Sequence, residues 1–159
     1  MRIKINIKSQ TLELIDESGE VLHVYPVSTA LRGVGELRGS QCTPRGEHIV
    51  RAKIGADRKI NTVFVGRRPT GEIYSPEMGL ANPERDWILT RILWLSGTEP
   101  GFNRLGQRDT MRRYIYIHGT PDETFRQHPA SHGCVRMRNA DLVELFDLVP
   151  IYTPVTIIA

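Results

Sequence analysis

The chain has 159 residues, 40% of them hydrophobic and 25% charged, with 21 Lys and Arg against 18 Asp and Glu for a net charge of +3. This length suits one domain, 1–159, and the composition excludes intrinsic disorder, collagen-like repeats and a disulfide-stapled miniature. No run approaches the ~20 apolar residues that a bilayer-spanning helix needs, so no membrane span is expected. Of the basic residues 17 are Arg and only four are Lys (Lys4, Lys8, Lys53 and Lys59). The planar guanidinium fork suits carboxylates and phosphates, which makes anionic ligands plausible partners. The modest charge, with no dense basic run interleaved with aromatics, argues against nucleic acid.

The first segment, Met1-Arg2-Ile3-Lys4-Ile5-Asn6-Ile7-Lys8, alternates isoleucine with charged or polar residues and reads as a strand. It lacks the apolar stretch and small-residue cleavage site of an export signal, which predicts a cytoplasmic protein, or a periplasmic or cell-wall one if a signal has been removed. Leu12 and Leu14 continue the period-2 pattern, as do Leu22, Val24 and Pro26, and the turn residues Glu17-Ser18-Gly19-Glu20 between them predict a hairpin. Segment 31–46 holds Gly33, Gly35, Gly39, Pro44 and Gly46 and reads as a long loop. Further strands are expected at 48–52, 62–65, 87–95, 114–118 and 155–158. The loop at 97–113 is long, polar and arginine-rich, which marks it as a candidate lid. A short helical turn is expected at Pro121-Asp122-Glu123. One amphipathic helix stands out near the C-terminus: Asn139 as its N-cap, Asp141 in the first turn, Leu142, Leu145, Phe146 and Val149 on one face, and Pro150 closing it. The fold class is mainly β.

Several common motifs are missing. Gly33-Val34-Gly35-Glu36-Leu37-Arg38-Gly39 departs from dinucleotide-loop spacing and no helical pattern follows it. There is no GxxxxGK[ST], no HExxH and no CxxC. Two cysteines, Cys42 and Cys134, make no disulfide framework and fit a reduced protein.

The chemistry concentrates in Tyr114-Ile115-Tyr116-Ile117-His118-Gly119-Thr120 and, after a short spacer, Ser131-His132-Gly133-Cys134-Val135-Arg136. The first segment places an imidazole at a strand end, where the scaffold is rigid and the side chain can reach a cleft. The second sets a thiol in a tight polar turn whose glycine leaves backbone amides open to close approach. A neighbouring imidazole can take the thiol proton, and the imidazole itself needs an orienting acceptor, for which a backbone carbonyl is the candidate. The amides of Gly133 and Cys134 are candidate oxyanion donors, and Arg136 could grip a substrate carboxylate. The plainer alternatives are a buried structural thiol, a hydrogen-bonded strand-end histidine and a surface ion pair at Arg136.

His118-Gly119-Thr120 followed by Ser131-His132-Gly133-Cys134-Val135-Arg136 resembles the signature of the L,D-transpeptidase catalytic domain, the YkuD type. Tyr25-Pro26-Val27-Ser28-Thr29 and Thr43-Pro44-Arg45-Gly46-Glu47 are similar to upstream elements of the same family. The resemblance implies a β-sandwich-like fold and two-step acyl transfer on peptidoglycan stem peptides, with no metal or organic cofactor. It makes Cys134 the nucleophile, His118 the base and the Gly119 carbonyl the orienter of that base. Ser131 and His132 would shape the pocket, and Arg136 would face the donor peptide. Cys42 stands where the family commonly has a polar or basic residue and is expected to be structural. With no targeting segment, the expectation is an L,D-carboxypeptidase that trims tetrapeptides to tripeptides in muropeptide recycling. Its substrate would be cut between meso-diaminopimelate (or L-Lys) and D-Ala. The alternative is an L,D-transpeptidase that passes the acyl group to an amine. Two readings from other classes are a metal-binding module ligated by His118, His128, His132 and Cys134, and a non-catalytic domain that holds wall fragments.

Overall fold

The computed structural model describes residues 1–159. Ten strands form one sheet: β1 (Arg2–Asn6), β2 (Thr11–Ile15), β3 (Val21–Ser28), β4 (Gly46–Ile54), β5 (Thr62–Val65), β6 (Arg68–Ile73), β7 (Ile88–Gly97), β8 (Tyr116–Gly119), β9 (Val135–Met137) and β10 (Pro154–Ile158). Two helices accompany them, α1 (Pro76–Ala81) and α2 (Asn139–Leu148). The strand order is β4-β10-β1-β2-β3-β9-β8-β7-β5-β6, and β4 also pairs with β7, so eight strands close a ring from which the β5–β6 hairpin projects. The architecture is mainly β with one amphipathic helix near the C-terminus, as the sequence predicts.

Period-2 alternation explains where the core sits. Ile3, Ile5, Leu12, Leu14, Ile117, Val135, Val155 and Ile157 turn inward, and Leu142, Leu145, Phe146 and Val149 of α2 pack onto the same cluster. Burying side chains of this size contributes roughly 1.5–3 kcal/mol each. The third strand runs on the opposite parity from the one expected: Tyr25 and Val27 are buried, whereas Leu22 and Val24 are exposed. In the ladder with β2, Tyr25 lies opposite the buried Leu12 and Val24 opposite Glu13, so the partner strand, not the apolar spacing of β3, sets which face turns inward. The predicted turn is held by Asp16, whose Oδ1 accepts from Ser18 N and Glu20 N, each at 2.9 Å.

The sequence reading missed β6, β9 and α1. The last of these has a readable start, because Ser75 accepts from Met78 N and Pro76 opens the helix. Asn139 is not the N-cap of α2. Arg138 holds that position without a side-chain bond, and Asn139 is the first helical residue. Its amide is buried instead, donating to Thr120 O at 3.0 Å and accepting from Thr90 Oγ1 at 2.6 Å. At 121–125 the chain makes a turn, with Thr124 N and Phe125 N both donating to Pro121 O. The 97–113 loop is fastened down rather than poised as a lid. Asn103 and Thr110 are buried, Asn103 donates to Glu47 O at 2.9 Å, and Asp109 accepts from Leu105 N at 2.8 Å.

Candidate active site

The site is built on the parallel pair β8–β9, where Ile117 faces Val135 and His118 faces Arg136. Ile117 and Val135 belong to the main core, so the alternating positions Tyr116, His118 and Arg136 turn to the opposite face. Cys134, immediately before β9, packs on that face against Phe64, Ile92 and Tyr116. Cys134 is level with Tyr116 in the parallel register, two positions before the level of His118, so both side chains leave the same face of the sheet. The β5–β6 hairpin flanks this surface through Gly66 and Arg67, which line a cleft of about 430 Å³ with Cys134, Tyr114, Tyr116 and His132.

Local sequence shapes the turn that carries Cys134. Gly133 has φ +133, and a Cβ there would meet Ile115 Cδ1 at 3.1 Å, so the position demands glycine. Thr43 Oγ1 donates to Gly133 O at 2.8 Å and accepts from Ala30 N at 3.0 Å, tying the 31–46 loop beneath the turn. Ser131 Oγ donates to Cys134 O at 2.5 Å and accepts from Gly133 N at 3.2 Å. The Gly133 amide is therefore engaged inside the turn. Of the two amides expected to hold an oxyanion, only that of Cys134 has no partner.

His118 is fully buried. Its Nδ1 lies 2.6 Å from Gly119 O, and since a carbonyl only accepts, Nδ1 carries the hydrogen and Nε2 presents a lone pair. That Nε2 is buried with no hydrogen-bond partner. Gly119 is packed so closely that a Cβ would come within 2.6 Å of Leu89 O, which fixes the carbonyl. Burial lowers the His118 pKa, opposed by the nearby charge of Asp86 and the Gly119 bond, so the ring rests neutral.

Sulfur is neutral at rest too. The Cys134 thiol donates to Tyr114 O at 3.4 Å and accepts from Tyr116 N at 3.3 Å. Burial pushes its pKa up to about 12, and the Tyr116 amide only partly offsets this. No hydrogen bond joins the thiol to His118, so the resting structure holds no imidazolium–thiolate pair.

Arg136 Nη2 is 3.0 Å from Asp86 Oδ1, so its charge is neutralised, while its Nε is buried without a partner. His132 is exposed, with Nδ1 4.0 Å from Asp86 Oδ2. Asp86, Tyr114 and Arg67 were missed by the sequence reading. The alternation Tyr114, Tyr116, His118 was a usable signal for Tyr114, but nothing in the spacing marks Asp86 or Arg67. Arg67 stacks over the rings of Trp94 and Tyr114 at 4.9 and 4.7 Å and donates to Tyr116 Oη at 3.1 Å. A larger cleft of about 540 Å³ lies beyond Arg136 and Asp86 and is walled by Glu84, Trp87 and Glu123.

The residues of the suggested metal module do not converge. His118 is buried, His128 is exposed with Nδ1 3.2 Å from Pro129 O, and no group of three His, Cys, Asp or Glu side chains is placed to hold an ion. Cys42 and Cys134 are both free thiols. Cys42 faces Gly35, with Sγ 3.5 Å from Ser40 O, and takes no part in the cleft of Cys134. No helix is long and apolar enough to cross a membrane.

Comparison with known proteins bears on the fold and the family. A search of curated protein sequences returns no match. Among solved structures, the chain is similar to the L,D-transpeptidase of Xylanimonas cellulosilytica at 21% identity and TM-score 0.55, covering 98% of this chain and 59% of that one. It is also similar to an L,D-transpeptidase from Mycobacterium smegmatis at 17% identity and TM-score 0.55, covering 99% and 58%. A third match is L,D-transpeptidase 3 of Mycobacterium tuberculosis at 17% identity and TM-score 0.57, covering 99% and 59%. The chain thus spans a little under three fifths of the length of these structures. The family model for the YkuD L,D-transpeptidase catalytic domain matches residues 1–157, nearly the whole chain, and it is to this family that the protein belongs.

Proposed function

We propose that the protein is a cysteine acyl-transfer enzyme acting on peptidoglycan stem tetrapeptides, with Cys134 as nucleophile and His118 as base. One observation carries this reading: a buried Nε2 lone pair, left unpaired by a ring whose other nitrogen is locked on Gly119 O, on the same sheet face as the thiol. An unsatisfied buried acceptor costs about 1–3 kcal/mol, and a proton arriving from a substrate-displaced thiol satisfies it.

The chemistry then runs as follows. A docked peptide excludes Tyr114 O from the thiol, the sulfur turns toward His118, and its proton passes to Nε2. Sulfur attacks the carbonyl of the third residue, and the Cys134 N–H receives the developing oxyanion. Collapse breaks the L,D bond. The leaving D-Ala amine takes the proton from Nε2, and a thioester remains on Cys134. Water, deprotonated by the same nitrogen, attacks the thioester; the C–S bond breaks, the tripeptide leaves with its new carboxylate, and the Cys134 sulfur takes the proton back from Nε2. Ser131 keeps the turn rigid, His132 and Arg136 border the bound peptide, and no cofactor enters any step.

Water is our leading acceptor because the Cys134 cleft opens beside the exposed His132, so solvent reaches the acyl carbon without a second site being filled. Such a hydrolase would suit soluble tetrapeptide fragments in the cytoplasm. Transfer to an amine is the second reading, favoured by Glu84 and Glu123 on the larger adjoining cleft, whose carboxylates suit an ammonium group. Related structures support the covalent step: one L,D-transpeptidase has been solved with imipenem and another with a faropenem-derived adduct.

Incubating the protein with a disaccharide-tetrapeptide, with and without excess D-amino acid, tests the proposal. Tripeptide as the dominant product in both supports the carboxypeptidase. An exchanged tetrapeptide establishes the transpeptidase, and an untouched substrate contradicts both.

A further inference from the structure

A second cavity opens on the other side of Tyr114, about 240 Å³ in volume and bounded by Arg38, Arg112, Arg113 and His132. It shares Tyr114 and His132 with the cleft of Cys134, so the two adjoin across those side chains. Its charge is one-sided. No acidic residue lines it, and none of the three arginines makes an ion pair. Arg113 is half-buried and donates only to neutral oxygens: Gly35 O at 3.2 Å, Ser40 Oγ at 3.3 Å and Cys42 O at 2.7 Å. Glu36, whose charge reaches Arg113, is already held by Arg45 at 3.0 Å and by Arg108 at 3.9 Å. A half-buried guanidinium without a counter-ion, beside two exposed ones with no side-chain partner, is a standing demand for an anion.

Arg136, the arginine expected from sequence to grip a substrate carboxylate, is committed to Asp86. We propose that Arg38 and Arg112, over the fixed charge of Arg113, form the receptor for the free terminal carboxylate of the residue that leaves. This rests on the acyl-transfer reading above and adds to it an exopeptidase selectivity. A substrate threaded past Cys134 with its C-terminal residue in this cavity presents one carboxylate to two mobile forks. A chain that continues beyond that residue, or ends in an amide, presents none.

The test compares a tetrapeptide ending in the free acid with the same tetrapeptide ending in the carboxamide, on wild type, Arg38→Gln and Arg112→Gln. Both side chains are free of hydrogen bonds, so the variants keep their fold; Arg113 is left intact because it braces the 31–46 loop. Wild type is expected to favour the acid by about 10-fold or more in kcat/KM, mainly through KM, from one charge-assisted pair. Each variant should collapse that ratio toward one. An unchanged ratio overturns the receptor, as does a selectivity lost instead when the internal D-Glu carboxylate is amidated. If neither peptide turns over, the acyl-transfer reading fails. The receptor then stands or falls on titration of acetate followed at the Gly39 and Ile115 amides. Shifts in wild type that are absent in Arg38→Gln support it, and shifts equal in both, or absent from both, overturn it.

Discussion

Replacing His118 with Gln separates two readouts of the same sulfur. At rest the Cys134 thiol donates to Tyr114 O and not to the imidazole, and burial lifts its pKa from 9.0 to about 12. At fixed pH a rise of that size leaves about a thousandfold less thiolate. The remaining thiolate is intrinsically more nucleophilic, by a factor set by a Brønsted slope of about 0.4–0.5, so reaction with a small disulfide slows only about 30- to 60-fold. The assay is stopped-flow reaction with a small aromatic disulfide in a Cys42→Ser background, referenced to the same protein unfolded in urea. Since no hydrogen bond links His118 to the resting sulfur, His118→Gln is expected to change this rate by no more than about 2- to 3-fold. Acylation by tetrapeptide should fall by about 10²–10⁴, the usual cost of a lost general base. A resting thiol that titrates near neutrality and loses reactivity with His118 would refute the reasoning, because it would demonstrate a preformed ion pair.

Other outcomes follow from the same geometry. Burial keeps His118 neutral below the ordinary imidazole range, so the acid limb of kcat/KM should fall below pH ~6.5; a limb centred above that value would contradict the burial. His48 is buried against Thr110 and Gly46, and desolvation depresses its pKa to about 4. The unfolded chain therefore binds the extra proton first, and stability present above pH ~6.5 is lost as the pH falls toward 4, by up to about 3 kcal/mol. Urea unfolding of wild type and His48→Gln across that window should diverge at neutral pH and converge in acid. Asn139→Leu should cost about 2–3 kcal/mol in urea unfolding, because Thr120 O and Thr90 Oγ1 lose their buried partner. Gly119→Ala should lower both the melting temperature and the acylation rate, since Leu89 O leaves no room for a methyl group beside the carbonyl that fixes His118.

Much of this was legible in the chain. Ile3, Ile5, Leu12 and Leu14 announce inward faces because a strand repeats every two residues, and Leu142, Leu145, Phe146 and Val149 announce a helix because a helix repeats every 3.6. His118 and Cys134 stood out because few residue types carry nucleophilic chemistry. What the sequence hid depends on contacts between distant segments. The inward face of β3 follows from its pairing with β2, which sets Tyr25 opposite Leu12, not from its own apolar residues. Asn139 looked like a cap and became a buried strut, because the Thr90 and Thr120 groups that claim its amide lie 49 and 19 residues away. The sequence left Arg136 open between gripping a substrate carboxylate and making an ion pair, and the partner that decides it, Asp86, lies 50 residues away. The Gly133 amide looked available until Ser131 Oγ was seen to occupy it. Side-chain chemistry was readable, as was the neighbouring Gly119 carbonyl that holds His118, whereas partners from distant segments were not.

Intact-mass analysis after rapid mixing with a defined tetrapeptide tests the central proposal most directly. The account predicts that wild type gains the mass of a tripeptide acyl group on Cys134 as D-alanine is released, and that His118→Ala forms this adduct about 10²–10⁴ times more slowly. An adduct on another residue, or one forming at the same rate without His118, would contradict it.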